Sequence, residues 1–119
     1  MDKPHRKLAV WQRSIALTTQ IYDLTGEFPP EERYGLSSQM RRAAVSIPSN
    51  LAEGAAKETR EFARFILIAI SSVSELDTQL EIALRLGYLS SSLHQTLDDE
   101  ITQIDRMLIA LRKSILKRL

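Results

Sequence analysis

Apolar residues recur along this chain at the three- and four-residue spacing of amphipathic helices. The spacing predicts four helices, over about 6–25, 31–54, 59–86 and 93–115. No segment alternates apolar and polar residues in the manner of a half-buried strand. Because short connections favour antiparallel neighbours, we expect one all-α domain over residues 1–119, folded as an antiparallel up-down-up-down four-helix bundle.

The first predicted helix carries two apolar stripes on nearly opposite sides. The first stripe consists of Leu8, Trp11, Ile15 and Tyr22, and the second stripe consists of Val10, Leu17, Ile21 and Leu24. A helix with two apolar faces must bury both, so one stripe should face the bundle and the other should face a partner. We assign the second stripe to an oligomer interface.

A proline stands in the middle of the second predicted helix. Pro48 has no N–H and crowds the carbonyl of Ala44, so the helix should kink there or restart. Polar residues at helical spacing follow the apolar stripe, and a similar set on the third helix includes Glu75. We interpret these residues as a structural polar network inside the bundle, with Arg42 paired to Glu75. The network residues are Gln39, Arg42, Ser46, Asn50, Glu53 and Glu75. A ligand or nucleic-acid site along the same stripe is the less favoured alternative.

Composition narrows the class of protein. The chain contains sixteen Lys and Arg residues and fifteen Asp and Glu residues. Its net charge is therefore +1, and the molecule as a whole has no strong electrostatic field. The absence of cysteine excludes disulfides and thiol chemistry, and it fits a reducing cytoplasm. Neither a signal peptide nor an apolar run of membrane-spanning length is present, so we expect a cytoplasmic protein with no membrane partner.

The sequence offers little for catalysis or metal binding. Its two histidines, His5 and His94, lack the Glu-x-x-His pairing of metal-binding bundles, and His94 is expected to be solvated near a helix start. The acidic runs at 31–32 and 98–100 lie at predicted helix starts, where the helix dipole explains them. We predict no catalytic residues, no cofactor and no metal, and therefore no enzyme.

Basic residues are the remaining functional signal. Those predicted to project outward could contact nucleic-acid phosphates, although ordinary solvated helix faces explain them as well. They are Arg41, Arg60, Arg64, Arg112, Lys113, Lys117 and Arg118. No aromatic stacking platform accompanies them in the sequence, so any binding should tolerate changes of base sequence.

Several short motifs give the chain a family resemblance. They are Phe28-Pro29, Tyr34-Gly35-Leu36, Ser38-Gln39-Met40-Arg41-Arg42-Ala43, the segment 46–54 (Ser-Ile-Pro-Ser-Asn-Leu-Ala-Glu-Gly), and Leu86-Gly87-Tyr88-Leu89. With these motifs the chain resembles the 23S ribosomal RNA intervening-sequence proteins. Ser71 departs from the family's usual glycine, which predicts a slightly looser helix contact there.

The resemblance implies a four-helix protomer that assembles into a ring-like homopentamer. It also implies kinship with the accessory variability determinant proteins of diversity-generating retroelements, which bind nucleic acid and a reverse transcriptase. We therefore expect a non-enzymatic oligomeric scaffold or adaptor that binds RNA or DNA through backbone phosphates, together with a protein partner. The alternative is a purely protein-binding assembly module with no affinity for nucleic acid.

Overall fold

The computed structural model describes residues 3–119, and four long helices account for most of them. A 3₁₀ turn at Pro4–Lys7 precedes helix α1 (Ala9–Gly26), and a second 3₁₀ turn at Pro30–Glu32 precedes helix α2 (Leu36–Ala55). Helices α3 (Thr59–Arg85) and α4 (Ser91–Leu116) complete the chain. No strand occurs within these described residues, so the predicted all-α class with four helices is confirmed.

The four helices pack around one shared hydrophobic core. Each helix contacts the next one in chain order, and α1 also contacts α4. All four helices contribute large side chains that are almost completely buried: Leu17, Ile21, Met40, Ile47, Leu51, Ile66, Leu76, Leu80, Leu97, Ile104, Leu108 and Ile115. None of the helices in residues 3–119 is long and apolar enough to cross a membrane.

The two stripes of α1 do not divide between core and partner as we predicted, and Leu8 and Trp11 of the first stripe are half-buried against the core. The second stripe, which we had assigned to an oligomer interface, lies in the protomer's own core, and its four residues (Val10, Leu17, Ile21, Leu24) are 0–7% exposed. In the first stripe, Ile15 and Tyr22 remain 40% and 45% exposed. The buried stripe is purely aliphatic, whereas the outer one carries Trp11 and Tyr22, whose rings lie beneath the guanidinium groups of Arg6 and Arg41. Aromatic side chains with a polar atom and a cation partner suit the surface better than aliphatic ones do.

The starts of α1, α2 and α4 differ from the predicted positions, whereas α3 begins at Thr59 as predicted. Residues 30–32 form a 3₁₀ turn, and α2 begins only at Leu36, whose N–H donates to Glu32 Oε1 at 3.1 Å. The cap of α4 is Ser90, whose hydroxyl accepts the N–H of Leu93 at 3.1 Å. At α2 and α4 a side chain just outside the apolar repeat accepts a hydrogen bond from an N–H group of the first turn.

Pro48 does not interrupt α2, which runs unbroken from Leu36 to Ala55, so the predicted restart is wrong. Because proline has no N–H, the carbonyl of Ala44 cannot receive its usual helical hydrogen bond. The hydroxyl of Thr18 on α1 lies 3.2 Å from that carbonyl and 2.8 Å from the carbonyl of Ser14. The neighbouring helix thus supplies the donor that the proline lacks.

Helices α2 and α3 are in close contact at Gly54. This glycine is buried, and a Cβ placed on it would lie 2.6 Å from Cβ of Phe65 and 3.0 Å from Cδ1 of Phe62. Gly54 therefore serves close packing rather than merely marking the end of the helix. Ser71 is exposed and donates to the carbonyl of Leu67 in its own helix at 3.2 Å. Its side chain points away from the bundle's core, so the looser contact predicted there does not follow.

Candidate phosphate-binding surface and polar clusters

A small hydroxyl and amide cluster links α2 to α3. The hydroxyls of Ser46 and Ser72 lie 2.8 Å apart, and the side-chain N–H of Asn50 donates to the carbonyl and the hydroxyl of Ser46 at 2.8 and 2.9 Å. Ser72 is buried, and Ser46 and Asn50 are half-buried. Their hydrogen bonds are satisfied mutually, as partly buried polar groups require. Two of the six predicted network residues, Ser46 and Asn50, therefore lie in this internal cluster.

The predicted pairing of Arg42 with Glu75 is wrong. Both side chains are exposed, and no ion pair joins them in the described structure. Glu75 instead accepts a hydrogen bond from Gln79 at 3.4 Å on its own helix. Gln39 and Glu53 are exposed as well. The four longer residues of the predicted network therefore remain outside the bundle.

Three helix termini and the start of the chain meet at one end of the molecule. Arg112 near the end of α4 donates through Nε to the carbonyl of Ala63 near the start of α3, at 3.2 Å. The contact of Gly54 with Phe65 joins the end of α2 to the same region. Trp11 at the start of α1 lines a shallow cavity with Ala52 of α2. Segments 3–11, 50–66 and 107–119 are therefore neighbours, and we call them the basic end.

Charge is strongly segregated between this end and the rest of the molecule. The basic end contains ten of the sixteen Lys and Arg residues and only three Asp and Glu residues. Residues 12–49 and 67–106 contain the other six basic residues and eleven acidic ones. The near-neutral total thus conceals a molecule with a positive end and a negative remainder.

Six of the seven basic residues predicted to contact phosphates belong to the basic end. Four of them are exposed and form no ion pair within the described chain: Arg60, Lys113, Lys117 and Arg118. Arg112 is half-buried and bonded to the carbonyl of Ala63. Arg64 pairs with Glu61, Nε to Oε1 at 3.0 Å, and the hydrogen bond lowers the pKa of that carboxyl. Of the predicted residues, the four exposed ones without an ion pair are therefore best able to contact an external phosphate.

Arg41, the seventh, lies elsewhere and is not directed outward as predicted. It is half-buried, its Nε donates to the hydroxyl of Thr25 at 2.8 Å, and Nη2 donates to the carbonyl of Tyr22 at 3.3 Å. Its guanidinium also lies 4.5 Å from the centre of the Tyr22 ring. Arg41 thus fastens the start of α2 to the end of α1.

The acidic run at 98–100 does not lie at a helix start. Because α4 begins at Ser91, these residues fall beyond its first turn, so the dipole does not explain them. Glu100 instead receives two hydrogen bonds from Arg13 of α1, one of them from Nε to Oε2 at 3.0 Å, and these raise the pKa of Arg13. His94 is half-buried, with Nε2 3.8 Å from Glu81, and is therefore less solvated than predicted. Residues 3–119 contain no cluster of three side chains suited to a metal ion.

Two of the motifs that carry the family resemblance meet at the other end of the bundle. The hydroxyl of Tyr88 donates to Glu32 Oε2 at 2.8 Å, and the rings of Tyr88 and Phe28 lie 5.0 Å apart, centre to centre. The hydrogen bond to Glu32 raises the pKa of Tyr88. Since Glu32 also caps Leu36, these contacts join the loop before α2 to the end of α3. They give the Phe-Pro and Leu-Gly-Tyr-Leu motifs a structural purpose, which the sequence pattern alone does not reveal.

The fold has a known counterpart. A crystal structure of a protein of unknown function from the S23 ribosomal protein family of Bacteroides thetaiotaomicron superposes with a TM-score of 0.81. It is 24% identical in sequence, and the match covers 87% of this chain and 95% of that one. No curated protein matches the chain. The family model described as 23S rRNA-intervening sequence protein matches residues 6–110. The chain therefore belongs to the 23S rRNA-intervening sequence protein family.

Proposed function

We propose that this protein is a non-enzymatic cytoplasmic scaffold that binds nucleic acid through backbone phosphates at its basic end. The observation that carries the proposal is the gathering of ten basic residues against three acidic ones in three segments that the fold brings together. A concentrated positive surface attracts polyanions and releases their counterions on binding. Exposed cations without an ion pair remain able to bind a phosphate, whereas cations already paired with a carboxylate bind it more weakly.

The proposed binding reads phosphates rather than bases. Four phosphate contacts by one protomer, from Arg60, Lys113, Lys117 and Arg118, predict a slope of log affinity against log salt of about −3.6 for duplex DNA and about −2.8 for a single strand. Phosphate contacts carry no sequence information, so DNA or RNA of different sequence should bind alike.

Fluorescence anisotropy with labelled DNA and RNA at low salt tests this proposal, and α3 provides a matched pair of variants. Arg60→Glu reverses a charge at the basic end, whereas Arg85→Glu makes the same change in net charge near the other end of the same helix. We expect Arg60→Glu to weaken binding and make the salt slope about 0.9 shallower for duplex DNA. Arg85→Glu should leave the affinity and the salt slope nearly unchanged. Equal effects of the two variants would mean that net charge, and not the basic end, governs binding.

We further propose that the up-down-up-down bundle assembles into a ring-like homopentamer, which would present several basic ends to one nucleic acid. The order of contacts supports the topology, since Thr18 meets Ala44 while Thr25 meets Arg41, farther along α1 and earlier in α2. With the second stripe of α1 buried, the apolar groups left for assembly include Ile15. Repetition of weak contacts in a ring would raise avidity.

Light scattering tests the assembly. The wild-type chain should be oligomeric at micromolar concentration, and Ile15→Asp should shift it toward monomer while its helical content is retained, because Ile15 is exposed in the protomer. A stable wild-type monomer would overturn the proposed ring. An intact oligomer that binds neither RNA nor DNA at low salt would favour the alternative, a protein-binding assembly module.

A further inference from the structure

A cationic groove lies away from the basic end, where α1 ends and α2 begins. It has a volume of about 610 Å³, and three arginines (Arg33, Arg41, Arg42) and two tyrosines (Tyr22, Tyr34) line it. A second cavity of about 240 Å³ shares Arg33 and Arg41 with it. No Asp or Glu of residues 3–119 lines either cavity.

The charge of this groove contrasts with its surroundings. Residues 12–49 and 67–106 are acidic overall, yet three of their six basic residues line this one groove. Arg33 and Arg42 are exposed and form no ion pair within the described chain. Guanidinium groups held near one another repel, and a phosphate that accepts hydrogen bonds from several of them relieves that repulsion. The groove is therefore suited to a compact anion.

Arg41 gives the groove a fixed donor. Its Nε and one terminal nitrogen are bonded to Thr25 and Tyr22, and its guanidinium lies over the Tyr22 ring. A side chain already held in place loses little conformational entropy when a ligand binds. The free N–H groups of Arg41 can therefore donate to an anion without further ordering.

The tyrosines add a surface for a flat ring. Tyr34 is 88% exposed, and the guanidinium of Arg33 lies 5.5 Å from its ring centre. An exposed tyrosine beside an arginine offers both stacking and cation–π contact to a nucleobase. The groove's volume also falls within the range of about 300–1,000 Å³ that is typical of small-molecule sites.

We propose that this groove binds a nucleoside phosphate, with the phosphates against Arg41 and Arg42 and the base against Tyr34. The same chemistry is presented by a free nucleotide and by the 5′-phosphorylated end of a single nucleic-acid strand. The site is separate from the basic end and does not depend on it.

Isothermal titration calorimetry on the full chain, with ADP, inorganic pyrophosphate and adenosine as probes, tests the site. ADP should bind more tightly than pyrophosphate, and adenosine should bind weakest, because only ADP engages both the arginines and the tyrosine. Arg42→Gln should weaken ADP binding about tenfold or more, as expected for the loss of one charge-assisted hydrogen bond. Tyr34→Ala should weaken ADP but leave pyrophosphate unchanged, and Tyr34→Phe should restore ADP binding.

Arg60→Gln serves as the matched control, since it removes one exposed arginine from the basic end. It should leave ADP binding unchanged, so the groove and the basic end can fail independently. Titration of oligothymidylate with and without a 5′-phosphate distinguishes a site for strand ends from a site for free nucleotides. A gain in affinity from the 5′-phosphate assigns the site to strand ends, and ADP binding without such a gain assigns it to free nucleotides.

The groove proposal is overturned if the wild-type chain binds no ADP at millimolar concentration. It is equally overturned if Arg42→Gln binds ADP as the wild type does, or if Arg60→Gln weakens ADP as much as Arg42→Gln, because binding would then be a diffuse effect of charge.

Discussion

The hydroxyl of Thr18 should stabilise the protein specifically because Pro48 lies in α2. In the wild-type chain this hydroxyl is the donor near the carbonyl of Ala44, at 3.2 Å. Thr18→Val keeps the shape of the side chain and removes the donor. In a Pro48→Ala background, the new N–H at position 48 can make the normal helical bond to Ala44, so the hydroxyl is no longer needed.

The magnitude follows from the burial of the groups involved. Leaving a buried carbonyl without a partner costs about 1–3 kcal/mol. Thr18 is only half-buried and shares its hydrogen with Ser14, so we expect a cost near the lower limit, about 1 kcal/mol. In the Pro48→Ala background the same substitution should cost less than about 0.5 kcal/mol. The coupling energy of the double-mutant cycle should therefore be roughly 0.5–1 kcal/mol.

Urea unfolding followed by far-UV circular dichroism measures these differences, at one fixed protein concentration because assembly shifts apparent stability. Thr19→Val is the matched control, since the hydroxyl of Thr19 is exposed and donates only to Ala16 of its own helix. It should change the free energy of unfolding by less than about 0.5 kcal/mol. If Thr18→Val costs the same with and without Pro48, the hydroxyl does not compensate for the proline, and our explanation is wrong.

Two further predictions concern helix contacts. Gly54→Ala should destabilise the protein by about 1–2 kcal/mol, because overpacking against Cβ of Phe65 outweighs the gain of about 1 kcal/mol in helix propensity. Thermal unfolding checks this against Gly26→Ala, where a Cβ meets nothing within 4 Å; equal melting temperatures would contradict it. Tyr88, whose pKa is raised beside Glu32, holds its proton more tightly when folded. Its contribution is thus complete below the ordinary tyrosine pKa of about 10 and is lost as pH rises through the folded pKa. Tyr88→Phe should therefore make the loss of stability above about pH 10 less steep, as urea midpoints across that range would show, and an unchanged slope would refute the linkage.

Local patterns were enough to predict the helices. The apolar spacing in α3 and α4 places Ile66, Leu76, Leu80, Ile104 and Leu108 on inward faces, and all five are almost completely buried. Helix ends were predicted less accurately. A carboxylate four residues away caps Leu36, and no periodic signal marks that contact.

The sequence did not predict how the proposed phosphate contacts are arranged in space. Arg60 and Lys117 stand far apart in the chain, so the sequence marks each as a candidate phosphate contact but does not predict that they are neighbours. The bond from Arg112 to Ala63 shows that the end of α4 returns to the start of α3, which gathers them. The groove around Tyr34 was missed because its arginines and tyrosines lie on two helices and a loop. The sequence did contain a signal for this groove: Arg33 and Tyr34 stand next to each other and shortly before Arg41 and Arg42.

The sequence by itself determined the helical class, the number of helices and most of the core, because apolar periodicity is a property of each segment alone. Only the tertiary structure decided which stripe of α1 faces inward and which donor reaches Ala44. It also decided which charges become neighbours. Each of these depends on where one helix lies against another, and the free energy that selects the arrangement comes from contacts between residues distant in the chain. A spacing rule that examines one helix at a time contains no information about those contacts.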